Sequence, residues 1–98
     1  MGEGVIDNVA AQRLEMQLSG GLAFIDYRRD GRTLYFNHAE VPAVLNGRGV
    51  GSQLVAAALQ LVRSRNERVV PVCSFVRAFF QRHAEYADLL GATGGGPR

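Results

Sequence analysis

The sequence predicts an α/β fold of the mixed-sheet, α+β kind: an antiparallel β-meander, then a loop, a helix, a strand and a second helix. Three observations predict it. Alternation at Arg13–Leu18 and turn signals after it divide the first 41 positions into three strand-like runs. At Val50 the period switches from two residues to a helical one. A helix between the third and fourth strands makes a crossover, so that pair must be parallel.

Arg13–Leu18 alternates Arg, Leu, Glu, Met, Gln, Leu and reads as a half-buried strand. Ser19-Gly20-Gly21 is a turn signal, and Leu22–Arg28 is a second strand. Asp30-Gly31 is a pair favoured in two-residue hairpin turns, where positive φ is needed. Thr33–Val41 is a third strand, rich in β-branched and aromatic residues, and Pro42 ends it because proline cannot donate to a ladder. Val50, Leu54, Ala58, Leu61 and Val62 fall at helical spacing, and Arg63 and Arg65 suit the negative end of the helix dipole. Arg68–Val72 is a short buried strand. Ser74 is a candidate cap for a second helix, with Phe75, Val76, Phe79 and Phe80 on one face and Tyr86, Leu89 and Leu90 continuing it to Gly91.

With 98 residues the chain has room for one domain, expected over residues 1–90. Residues 91–98 offer nothing to bury and read as a frayed tail. Eleven basic residues face nine acidic ones, a balance that argues against nucleic acid as the partner. All the basic residues are Arg, so the chain has no lysine of its own to acetylate. Cys73 is the single cysteine, which excludes an internal disulfide and fits a reducing, cytoplasmic setting. The first twelve residues lack a signal-peptide pattern. No apolar run approaches the roughly 20 residues of a membrane span. No metal is expected.

The glycine loop Asn46–Ser52 is the strongest chemical signal. It precedes a helix, whose free N–H groups and dipole favour an anion. Gly47, Gly49 and Gly51 allow backbone to approach phosphate oxygens. A Walker loop is excluded because there is no lysine. A dinucleotide fingerprint fits poorly: Val69-Val-Pro-Val72 ends in Cys73 where an acid should bind ribose. Coenzyme A pyrophosphate remains, and from spacing alone a tight turn that merely starts a helix stands beside it as an equal.

The loop Asn46-Gly-Arg-Gly-Val-Gly51 resembles the Gln/Arg-x-x-Gly-x-Gly/Ala pyrophosphate loop of the GNAT superfamily of acyl-CoA N-acyltransferases. Further segments are similar to a short, single-domain GNAT-like family: His38-Ala-Glu-Val-Pro42, Pro71-Val-Cys73-Ser-Phe75-Val76, and Arg82-His83-Ala-Glu85-Tyr86. Asp7-Asn8 through Arg13-Leu-Glu15 resembles that family's first strand. The chain departs at Ala39 for Thr, Asn46 for Arg or Gln, and Ala84 for Pro; Ala84 should let the second helix run on.

The resemblance implies acetyl-CoA as acyl donor, with the parallel strands splayed around it. Asn46, Gly47, Arg48, Gly49, Val50, Gly51 and Ser52 would hold the pyrophosphate. Backbone around Glu40 and Val41 would hold the pantetheine arm, and Arg82 and His83 would orient phosphates or cap structure. It implies an N-acetyltransferase acting on an amine, of a protein or another large acceptor, because the strands that usually wall the acceptor site are missing. A non-catalytic acyl-CoA-binding module, a sensor or partner of another protein, is the alternative. Cys73 stands at a helix start, which favours a thiolate, so it is the candidate nucleophile. His38 alternates with Leu34 and Phe36, so it is expected on their face, toward core or cleft, as the candidate base.

Overall fold

A computed structural model describes residues 4–91. Its elements are β1 (Ile6–Asn8), β2 (Arg13–Leu18), β3 (Gly21–Asp30), β4 (Thr33–Glu40), a 3-10 turn (Ala43–Leu45), α1 (Val50–Ser64), β5 (Arg68–Pro71), α2 (Ser74–Arg82) and a second 3-10 segment (Ala84–Leu89). The five strands form one sheet in chain order. Every neighbouring pair is antiparallel except β4–β5, which is parallel.

One face of the sheet carries Leu14, Met16, Ala23, Ile25, Tyr27, Leu34 and Phe36, all buried. Against it pack Leu54, Val55, Ala58, Leu59 and Val62 of α1 and Val76, Phe79 and Phe80 of α2. The other face bears charged side chains in pairs, such as Arg13 Nε on Asp26 Oδ1 at 3.0 Å. The alternation of β2 and the helical spacing of α1 thus serve one core.

Several local expectations shift. β1 is a separate three-residue strand paired with β2, too short for alternation to reveal. The hairpin closes on Asp30↔Thr33, so its two-residue loop is Gly31-Arg32 rather than Asp30-Gly31. Only Gly31 there has positive φ, 63°, as a turn with glycine first requires. β5 stops at Pro71, because the next two N–H groups turn to a single carbonyl. Ser74 is the first residue of α2 and Cys73 is its N-cap, with no side-chain cap bond.

The second helix does not run on through Ala84. It ends at His83, with φ −129° and ψ 77°. Tertiary contacts override the local permission to continue. His83 stacks on Phe79 with ring centroids 4.2 Å apart, and Tyr86 tilts against the same ring at 5.6 Å. Arg63 of α1 holds Asp88 with two hydrogen bonds and the Glu85 carbonyl with a third. The turn buries Leu89. Gly91 N–H then donates to the Val69 carbonyl at 2.8 Å, so the first residue of the expected tail is tied to β5. Residues 92–98 of that tail lie outside the described residues.

A buried polar cluster closes the end of the sheet where β5 begins. Tyr27 donates to Asp7 Oδ1 at 2.6 Å, Arg65 donates to Asp7 Oδ2 at 2.8 Å, and Arg29 binds Glu67. Burial, and then the hydrogen bond to Asp7, push the Tyr27 phenol above its usual range. Among the described residues no helix is long and apolar enough to cross a membrane.

Candidate functional site

The site begins with one extra residue in β4. Tyr27 pairs with Phe36, but the next residue back on β3, Asp26, pairs with His38. Asn37 is therefore a bulge, two residues opposing one. The bulge shifts the alternation. Leu34 and Phe36 point into the core, and after it Ala39 and Val41 pack on the core side instead.

His38 consequently lies on the opposite face from Phe36, and the expectation that it shares their face is corrected. Its ring is exposed, tilted against Phe24 at 6.3 Å, and its Nε2 meets Glu40 Oε1 at 3.1 Å. Strict alternation cannot predict this, because the bulge depends on cross-strand register.

At the same point β4 parts from β5. Their last pair is Phe36↔Pro71. The Phe36 carbonyl then accepts from both Val72 N–H, at 3.1 Å, and Cys73 N–H, at 3.0 Å. This shared acceptor marks the narrow end of a V. Cys73 stands there, half-buried and in contact with the core, immediately before α2.

Beyond this point, beside the part of β4 that has no β5 partner, lies a cleft of about 380 Å³ whose lining includes no residue of β5 and neither Cys73 nor His38. Ala39 and Val41 form its wall on the β4 side, and Phe75 of α2 forms another. The rest of the lining is Leu45 and the loop: Asn46, Gly47, Gly49, Val50, Gly51 and Ser52. Of the loop residues expected at the site, only Arg48 is absent from the lining; it is exposed.

The loop geometry follows from its glycines. Gly47 has φ 80° and Gly49 has φ 74°, both left-handed, where a side chain costs roughly 1–2 kcal/mol. A Cβ at either would meet nothing within 4 Å, so both present bare backbone to open space. Gly49 is the N-cap of α1, and no side chain caps the helix. The first turn of α1 holds no acid. Gln53 N–H donates to Gly49 O, but no acceptor among the described residues takes the N–H groups of Gly49 to Ser52. A 15-residue helix thus turns its uncapped, positive end into the cleft.

Gly51 is different in kind. Its φ is not left-handed, and a Cβ there would sit 2.7 Å from Cζ of Phe75. The glycine makes room for a ring. Helical spacing assigns Phe75 to the buried face of α2, yet it is 41% exposed at the cleft. It is the lining residue that the sequence does not announce, together with Ala39 and Leu45. No local pattern marks the meeting of positions 51 and 75.

The remaining candidates lie apart. Glu40 is exposed and engaged with His38, while its neighbour Val41 lines the cleft. Arg82 and His83 sit at the far end of α2, about 10–12 Å along the axis from Phe75 at 1.5 Å per residue. His83 is occupied by its stack on Phe79 and lies 3.8 Å from Glu85.

Comparison with known proteins agrees with this geometry. The NMR solution structure of a GCN5-like candidate N-acetyltransferase from Staphylococcus aureus superposes with a TM-score of 0.65 at 26% sequence identity. The match covers 96% of this chain and 88% of that one. Residues 13–89 match the family described as GCN5-related N-acetyl-transferase. That span holds strands β2 to β5, the glycine loop and both helices, and the chain belongs to the GCN5-related N-acetyltransferase family.

Proposed function

We propose that this protein is an acetyl-CoA-dependent N-acetyltransferase that moves the acetyl group to an amine, on a protein or another large acceptor. The observation that carries the reading is the uncapped N-terminus of α1, with bare glycine backbone, facing a cleft that runs beside β4 beyond its last pair with β5. The pyrophosphate of coenzyme A fits the N–H groups of Gly49–Ser52, since a helix N-terminus favours an anion. The arm then extends past Val41 and Ala39 toward the closed end of the V, and the thioester comes to lie near Cys73.

The amine nitrogen attacks the thioester carbonyl carbon. The carbon–sulfur bond breaks, coenzyme A leaves as the thiolate, and the proton shed by nitrogen goes to a base. His38 is the candidate base for an acceptor that approaches across the outer face of β4, because its ring projects to that side. Cys73 is the candidate acyl carrier. In that route its sulfur gives its proton to a base and takes the acetyl group first, releasing coenzyme A as the thiolate, and the amine then displaces the cysteine sulfur from the acetyl carbon and loses its own proton to a base.

The test is a thermal-shift panel followed by turnover. Acetyl-CoA and CoA should raise the melting midpoint, and ATP and NAD should not. Stabilisation by NAD alone would sink the assignment. Binding without turnover of any amine above the buffer rate would leave an acyl-CoA-binding module instead.

A further inference from the structure

The ring of Phe75 is large, apolar and 41% exposed, yet it is not loose on the surface. Its tip rests on the first turn of α1, where only the missing side chain of Gly51 leaves space: a Cβ there would lie 2.7 Å from Cζ and 3.1 Å from Cε2. The same ring lines the cleft across from Ala39 and Val41. Two residues before it, Cys73 is tied to the Phe36 carbonyl, and two residues after it, Arg77 donates to the Val72 carbonyl. The ring is thus seated at one end by the loop and anchored at its base by the α2 start.

Resting on the proposed function, we propose that Phe75 is a positioning residue for the pantetheine arm, and that residue 51 is glycine to seat this ring. The arm is a chain of amides and methylenes about as wide as an extended peptide. Between the phosphate end and the vertex of the V it needs one wall for its methylenes and one for its amides. Ala39 and Val41 belong to a strand whose β5 partner has ended, so its backbone serves the amides. Phe75 is the apolar side chain facing that stretch from α2 and serves the methylenes. An aromatic ring left partly exposed in a cleft is accounted for when ligand covers it.

The assay uses the whole chain and three probes in competition with acetyl-CoA: coenzyme A, S-acetylpantetheine, and 3′-phospho-ADP, which lacks the arm. Phe75→Ala strips the apolar wall from the methylenes and should raise KM for acetyl-CoA about tenfold, with kcat within about twofold. It should weaken S-acetylpantetheine by the same factor and leave 3′-phospho-ADP unchanged. Phe75→Tyr should restore wild-type values, because the ring is kept. Gly51→Ala should weaken S-acetylpantetheine by the same factor as Phe75→Ala does, since its methyl unseats the ring without demanding an unusual φ and this probe makes no contact with the phosphate loop. Weakening of coenzyme A and 3′-phospho-ADP with S-acetylpantetheine unchanged would mean that the ring only supports the loop, and would overturn the inference. So would unchanged KM in a folded Phe75→Ala. A wild-type protein that acetyl-CoA does not protect would overturn the functional reading itself, a result separable from either of these.

Discussion

Gly49→Val separates what the loop does for folding from what it does for ligand. The position has φ 74°, and a Cβ there would meet no atom within 4 Å. No collision arises, so the folding cost is that of a side chain in the left-handed region, roughly 1–2 kcal/mol. For a domain of this size each kcal/mol moves the midpoint by roughly 4–8 °C, so the variant should melt about 4–16 °C lower and still be folded at room temperature. The ligand effect is larger. The isopropyl group occupies the space where a phosphate oxygen must approach the N–H groups of Gly49 to Ser52. Acetyl-CoA at a hundred times the wild-type dissociation constant adds about 2.7 kcal/mol to wild-type stability. If the substitution weakens binding about a hundredfold, the same concentration adds only about 0.4 kcal/mol. A melt with and without ligand therefore reads both quantities from one sample. A folded Gly49→Val protein that keeps the full wild-type shift would show that the pyrophosphate does not sit there.

Two other perturbations test the rest of the molecule. Tyr27→Phe leaves Asp7 Oδ1, on a side chain only 6% exposed, without its phenol donor, and should cost about 1–3 kcal/mol in denaturant titration. The phenol's folded pKa is raised, so its contribution is complete below the ordinary value of 10.0 and is lost as pH climbs through the folded value. Wild type should therefore lose more stability than Tyr27→Phe between about pH 8 and about pH 11. At the site, Cys73→Ala should abolish turnover with coenzyme A binding nearly intact, and wild type incubated with acetyl-CoA alone should carry a transient acetyl mark on Cys73 by mass spectrometry. Full activity in both Cys73→Ala and His38→Ala would remove the pair from the chemistry.

What the sequence disclosed depended on how local the cause was. β2 reads directly from alternation at Arg13–Leu18, with the observed bounds, because one face of it is buried. The start of α1 at Val50 reads from the change of period and the glycines before it. Features set by distant partners stayed hidden. The side to which His38 points depends on how β3 and β4 register. The end of α2 is fixed by Arg63, Phe79 and Leu89 rather than by residue 84. The loop showed a phosphate-like pattern, but its third glycine answers to a ring 24 positions away, and no spacing rule reports that.

The bulge at Asn37 lies where β4 loses its β5 partner, and it can be removed without changing which side chains face the cleft. After Phe36 the chain presents Asn37 and His38 on the outer side before Ala39 returns inward. Deleting Asn37 leaves Phe36 inward, His38 outward and Ala39 inward, which is regular alternation. The pairs Tyr27↔Phe36 and Asp26↔His38 then follow in an unbroken antiparallel ladder. A bulge bends its strand and raises the local twist. Without it β4 should stay straighter beyond Phe36, and its next residues should remain beside Val72 and Cys73 instead of parting from them. The core face is untouched, so the deletion variant should fold with a midpoint near that of wild type. The space between the strands should shrink, and the acetyl-CoA-induced thermal shift should fall to a small fraction of its wild-type size. A folded deletion variant that acetyl-CoA stabilises as fully as wild type would mean that the strands part for another reason, with Pro42 and the turn at Ala43–Leu45 as the elements left to drive it.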